Sequence, residues 1–110
     1  MRTWLVQARF TSAGLAKIEQ EGGTALRTQY EAVTKAMGGK MEAFYFHVSG
    51  PYHMTAIMKG LDGVDGAAAG WAGYLAVHRG DLVSIDTHEL VECAVVDEGA
   101  KLAKRMAGAG

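Results

Sequence analysis

The stretch Lys40-Met41-Glu42-Ala43-Phe44-Tyr45-Phe46-His47-Val48, followed by Ser49-Gly50-Pro51-Tyr52 and then His53-Met54-Thr55-Ala56-Ile57-Met58-Lys59, decides the fold. Two runs rich in apolar and aromatic residues flank a short segment of turn chemistry, so the whole reads as a β-hairpin. Side chains alternate sides along a strand, which divides each run into two sets. Phe44, Phe46 and Val48 fall with Met54, Ala56 and Met58 in one apolar set. Ala43, Tyr45 and His47 fall with His53, Thr55 and Ile57 in a mixed one.

Toward the N-terminus, Gly38-Gly39 closes a helical region from Ser12 to Met37, where Leu15, Ile18, Leu26, Tyr30, Val33 and Met37 recur near helical spacing. Gly22-Gly23 predicts a break within it. Residues 2–10 read as a strand, with Thr11-Ser12 as the helix cap. Toward the C-terminus, Leu61-Asp62-Gly63 leads into a second helix, about Val64 to Val77, whose Gly66, Gly70 and Gly73 predict close packing. Asp81 to about Glu92 reads as a strand, and Asp97 caps a short helix through Met106 before a frayed Gly108-Ala109-Gly110 tail. The order β-α-β-β-α-β predicts an α+β domain of ferredoxin-like type, with a four-stranded antiparallel sheet and both main helices on one face. It occupies residues 1–93, with the C-terminal helix and tail over 94–110.

Parity extends to the outer strands. Val6, Ala8, Phe10, Val83 and Ile85 join the apolar set and form the expected core; Leu5, Gln7, Arg9, Ser84, Asp86 and His88 join the mixed set. A face left to water carries more Lys and Glu, and fewer residues like Leu5, Ala43, Tyr45 and Ile57. A second copy laying its sheet against this one buries the apolar members and leaves the polar ones lining a cavity.

Composition narrows the function classes. With 110 residues, 49% apolar and 21% charged, the chain suits one folded domain. A net charge of −1 without long runs of either sign argues against nucleic acid and anionic lipid as partners. The lone Cys93 excludes an internal disulfide framework and fits a reducing compartment. The first residues lack the apolar core of a signal peptide, and no stretch approaches the roughly 20 apolar residues of a spanning helix. The expectation is a cytoplasmic protein.

Three of the four histidines, His47, His53 and His88, share the mixed face. Histidine exchanges protons near neutral pH, and Arg9, Tyr45 and Asp86 on the same face can orient it, tune it or hold an anionic substrate. Tyr52, at the turn, either reaches over the cavity or anchors packing. Three roles fit the histidines: polar lining of an interface, proton transfer, and metal ligation, the last requiring convergence that spacing alone does not establish. The assignment drawn from this pattern is a small-molecule-binding homodimer, or higher homo-oligomer, using cofactor-free acid/base chemistry of the isomerase or cyclase type. His47, His53 and His88 are its catalytic candidates and Arg9, Tyr45, Tyr52 and Asp86 its substrate-binding candidates, with no cofactor and no metal assigned. A non-catalytic oligomeric or ligand-sensing protein is the competing class. The loop Gly60-Leu61-Asp62-Gly63-Val64-Asp65-Gly66 lacks the lysine and hydroxyl of a phosphate cradle, and its aspartates repel phosphate. Cys93 lacks a base at readable spacing, and Trp71 and Tyr74, three apart, read as core or helix-interface residues.

Several segments together resemble the GYD-domain family: Thr3-Trp4-Leu5-Val6, Met37-Gly38-Gly39-Lys40, Glu42-Ala43-Phe44-Tyr45-Phe46 and the turn Gly50-Pro51-Tyr52. The resemblance spans roughly residues 3–92. The family is similar to the dimeric α+β barrel proteins, which implies a ferredoxin-like monomer, sheet-to-sheet dimers and small-molecule cavities, and its biochemical role is generally not established. Pro51 intervenes between Gly50 and Tyr52, and His53 stands where the motif has aspartate, so no role of that aspartate carries over.

Overall fold

The computed structural model describes residues 1–109, in which four strands form one antiparallel sheet of order β2-β3-β1-β4 and are interspersed in the chain with four helices. In chain order they are β1 (Thr3–Phe10), α1 (Ser12–Glu21), α2 (Gly23–Ala36), β2 (Lys40–Phe46), β3 (Met54–Lys59), α3 (Gly63–His78), β4 (Leu82–Leu90) and α4 (Cys93–Ala109). This is the ferredoxin-like α+β arrangement. The hairpin closes as Phe44↔Ala56, Tyr45↔Thr55 and Phe46↔Met54. Central β1 takes β3 on one side, with Val6↔Ala56 and Ala8↔Met54, and β4 on the other, with Leu5↔His88 and Ala8↔Ile85.

Val6, Ala8, Phe10, Phe44, Met54, Ala56 and Leu82 are buried on one side of the sheet, with Ile18, Leu26, Tyr30, Met41, Met58 and Ile85 packed against them. Thr34 is buried among them because its hydroxyl donates to the Tyr30 carbonyl one turn back, at 2.7 Å. Three members of the apolar set lie elsewhere. Between Arg9 and Phe10 the β1/β4 register shifts, so Phe10 faces Leu82 while Arg9 faces Ser84. Val83 is the extra residue of that bulge and is 51% exposed. Phe46 is partly exposed at the strand end, and Val48 lies past it, fully exposed.

The helical region breaks where two glycines predicted. Gly22 adopts φ +89°, a conformation costly for any residue with a Cβ, and its N–H still donates to the Ile18 carbonyl at 2.7 Å. Thr11 caps α1: its hydroxyl accepts from the Gly14 N–H at 3.1 Å and donates to the Gly80 carbonyl at 2.5 Å. The Thr11 N–H reaches the Asp81 carbonyl at 3.1 Å, and Lys17 pairs with the Asp81 carboxylate at 2.9 Å. The start of α1 is thereby tied to the start of β4.

Other bounds differ from expectation. The third strand begins at Met54 and leaves His53 outside it. The last helix begins at Cys93, so Asp97 lies inside it, and it runs through Gly108 and Ala109 where fraying was expected; Gly110 lies outside the described residues. Of the three α3 glycines, Gly66 is closely packed, where an added Cβ falls 2.0 Å from the Leu61 carbonyl oxygen; at Gly70 it meets nothing within 4 Å, and the surroundings of Gly73 lie outside the described residues. Among the described residues no helix is long and apolar enough to cross a membrane.

The α1–β4 tie gives a direct test. A Cβ on buried Gly14 falls 2.2 Å from the Asp81 carbonyl oxygen and 3.3 Å from Phe10 Cβ. Gly14→Ala is expected to lower unfolding free energy by about 1–3 kcal/mol in urea titrations.

Candidate functional site

The open face of the sheet is organised in rows, because directly paired residues share a side. One row runs Ala43, Ile57, Leu5 and His88 across β2, β3, β1 and β4. The next runs Tyr45, Thr55, Gln7 and Asp86. Beyond it lie His47 at the end of β2 and Arg9, paired with Ser84. The face therefore changes along the strands from an apolar row ending in histidine to a polar row, and then to His47 and Arg9.

Two hydrogen-bonded groups occupy the polar end. His47 Nε2 bonds the Thr55 hydroxyl, which also accepts from Gln7 Nε2 at 3.4 Å, giving a chain across three strands. Tyr52 reaches from the hairpin turn to β4, where its hydroxyl donates to Asp86 Oδ2 at 2.5 Å. That bond holds the Tyr52 proton and raises its pKa above the usual phenol value; partial desolvation and the Asp86 charge add to the effect, and Arg9 opposes it. Tyr52 is thus bonded across the face, from the hairpin turn to β4.

The three histidines do not converge. His47 and His88 belong to opposite edge strands, about 14 Å apart laterally by strand spacing. His53 is engaged at the end of β1: its Nδ1 accepts from the Phe10 N–H at 2.9 Å and its ring stacks on Phe10 with centroids 5.9 Å apart. The His53 carbonyl accepts from the His47 N–H at 2.8 Å and its N–H donates to the Ala8 carbonyl at 2.9 Å, so its backbone bridges β2 and β1 while its side chain continues the ladder along β1. Among the described residues no group of three His, Cys, Asp or Glu side chains is placed to hold a metal ion. The structure brings Arg9, Tyr52 and Asp86 together and sets Tyr45 beside Thr55. His88 stands two residues along β4 from Asp86, about 7 Å away on the same face. Thr55 and Gln7, which link His47 into the face, were visible in the parity set but carry no ionisable group to single them out.

Two concavities, of about 350 and 270 Å³, lie on the helix side of the sheet. The larger is an apolar groove between α2 and α3, floored by Val6, Met54, Met58 and Ile85. Burial raises the Tyr30 pKa at its edge, and the Asp81 charge adds to this while Arg79 opposes it. The smaller, beside α1, is lined by Lys17, Glu21, Tyr30, Arg79 and Asp81, so ionisable groups gather there as well as on the open face. Comparison with protein-family models, curated proteins and solved structures finds no match to this chain.

The Tyr52–Asp86 bond makes a spectroscopic prediction. Because the folded-state pKa is raised, the bond persists through neutral and mildly alkaline pH and is lost as pH rises through that raised value. Phenolate absorbance should show a component titrating above the ordinary tyrosine range, diminished by one residue in Tyr52→Phe.

Proposed function

We propose that the open face, closed by a second copy, binds a small molecule with an apolar body and an anionic or enolisable head, and moves a proton on it without a cofactor, as isomerases and cyclases do. The observation that carries this reading is the Tyr52–Asp86 hydrogen bond beside Arg9, set one row from Ile57 and Leu5. The apolar row accommodates the body, Arg9 attracts the head, and Tyr52 keeps the proton it donates. Asp86, His47 and His88 are the bases within the face. The resemblance to the GYD-domain family, with its implied sheet-to-sheet dimers, points the same way.

A second reading, ligand sensing without turnover, is favoured by the same bond, since Tyr52 and Asp86 satisfy each other without a ligand. Nuclear magnetic resonance of an enolisable aryl α-oxo acid in heavy water separates the two. Proton transfer on such a probe gives deuterium uptake faster than buffer, and sensing gives the buffer rate.

Closure and binding are tested separately. Ile57→Asp places a charge in the apolar row and is expected to halve the molar mass measured by light scattering; an unchanged mass refutes closure by a second copy. Benzoate and octanoate, as probes, are expected to raise the melting temperature of the unmutated protein, by about 2.7 kcal/mol of stabilisation at a hundredfold excess over Kd. Arg9→Gln should abolish that shift, and retention of the full shift refutes the assigned binding end.

A further inference from the structure

Two helices carry apolar stripes that the protomer leaves uncovered. Every residue of α4 from Cys93 to Gly108 is exposed; Val95, Gly99, Leu102 and Met106 line one side, with Asp97, Lys101 and Lys104 opposite. On α3, Val64, Ala68, Trp71 and Leu75 are likewise exposed, Trp71 at 66%. Both stripes step by four, three and four residues, the spacing that keeps a seam aligned between two packed helices.

The stripes complement one another in one direction. Run antiparallel, Trp71 meets Gly99 and Ala68 meets Leu102, large against small, with Leu75 beside Val95 and Val64 beside Met106. Run parallel, small meets small and large meets large, which leaves gaps and crowding. Gly99 is otherwise unexplained. A Cβ there meets nothing within 4 Å and its φ is not positive, yet glycine inside a helix weakens it. An indole ring lying against the backbone supplies the reason.

A protomer cannot form this antiparallel pair with itself. Thr3 pairs with both Lys59 and Leu90, so α3 starts at the end of the sheet where β4 finishes. Folded back after the short link Val91-Glu92, α4 runs parallel to its own α3. The structure has it projecting instead, with a longest dimension of 59 Å and a radius of gyration of 16.9 Å, against about 13 Å for a compact chain of this length. The accessible surface is 7631 Å², where a compact monomer of 11.7 kDa exposes about 5,900 Å². The surplus is on the scale a stable homodimer buries.

We infer that α4 is an exchanged arm, lying antiparallel along α3 of a second copy while that copy's α4 lies along this α3. The reciprocal contact has two-fold symmetry and sits on the helix side. It uses the side of the sheet opposite the proposed cavity and stands whether or not the sheet-to-sheet reading does.

Cysteine cross-linking tests it. In a Cys93→Ala background, chains carrying Ala68→Cys are mixed with chains carrying Leu102→Cys and oxidised. The exchanged arm yields a disulfide-linked dimer on a non-reducing gel; no link between the mixed chains, or a link formed only inside a doubly substituted chain, overturns the proposal. Gly99→Leu reads it independently. On a helix free in water this change strengthens the helix and leaves association untouched, which overturns the proposal, whereas on an exchanged arm it blocks Trp71 and cuts the cross-linked yield about tenfold. The link is expected to survive Ile57→Asp, so failure of the sheet contact and failure of the arm are distinguishable.

Discussion

The alternation of side chains along β1 is the constraint on which the rest of the protein depends. This strand is hydrogen-bonded on both edges, so its register fixes both neighbours at once. Val6, Ala8 and Phe10 turn one way and are buried; Leu5, Gln7 and Arg9 turn the other way and are not. A slip of one residue exchanges the two sets and destroys core and candidate site together. The bulge at Arg9/Phe10 adjusts this register locally, letting Leu82 enter the core while Arg9 stays on the open face.

Much of the fold was legible because its signals are local. The hairpin, the break at Gly22 and the Thr11 cap follow from turn chemistry and glycine conformation. Val83 was misplaced because a bulge changes parity without a marker in the residues around it. The start of α4 was misplaced because Asp97 resembles a cap, whereas the helix begins at Cys93 without an acidic residue in its first turn. The open space at Gly70 was hidden because glycines permit close approach without compelling it.

The candidate site was legible as a set of residues and obscure as a set of bonds. Parity places Arg9, Asp86, His47 and His88 on one face, but it treats strand partners as equivalent and ignores the reach of a side chain from a turn. Tyr52 crosses to β4, and the His53 ring takes a backbone partner, so what looked like a histidine cluster becomes a Tyr–Asp pair beside Arg9 and a separate His–Thr–Gln chain.

The tie between Thr11 and Gly80 spans 69 residues and closes a sheet in which one of the two central strands, β1, precedes the other three in the chain. Contacts of such separation form late, because the intervening chain must be ordered before they repay the entropy of closure. During synthesis β1 emerges with both edges bare, and β4 emerges after all the other strands. Between the emergence of β1 and that of β4 the growing chain therefore carries an unsatisfied strand edge, and the hairpin, whose two strands are neighbours in sequence, is the first sheet contact available to it.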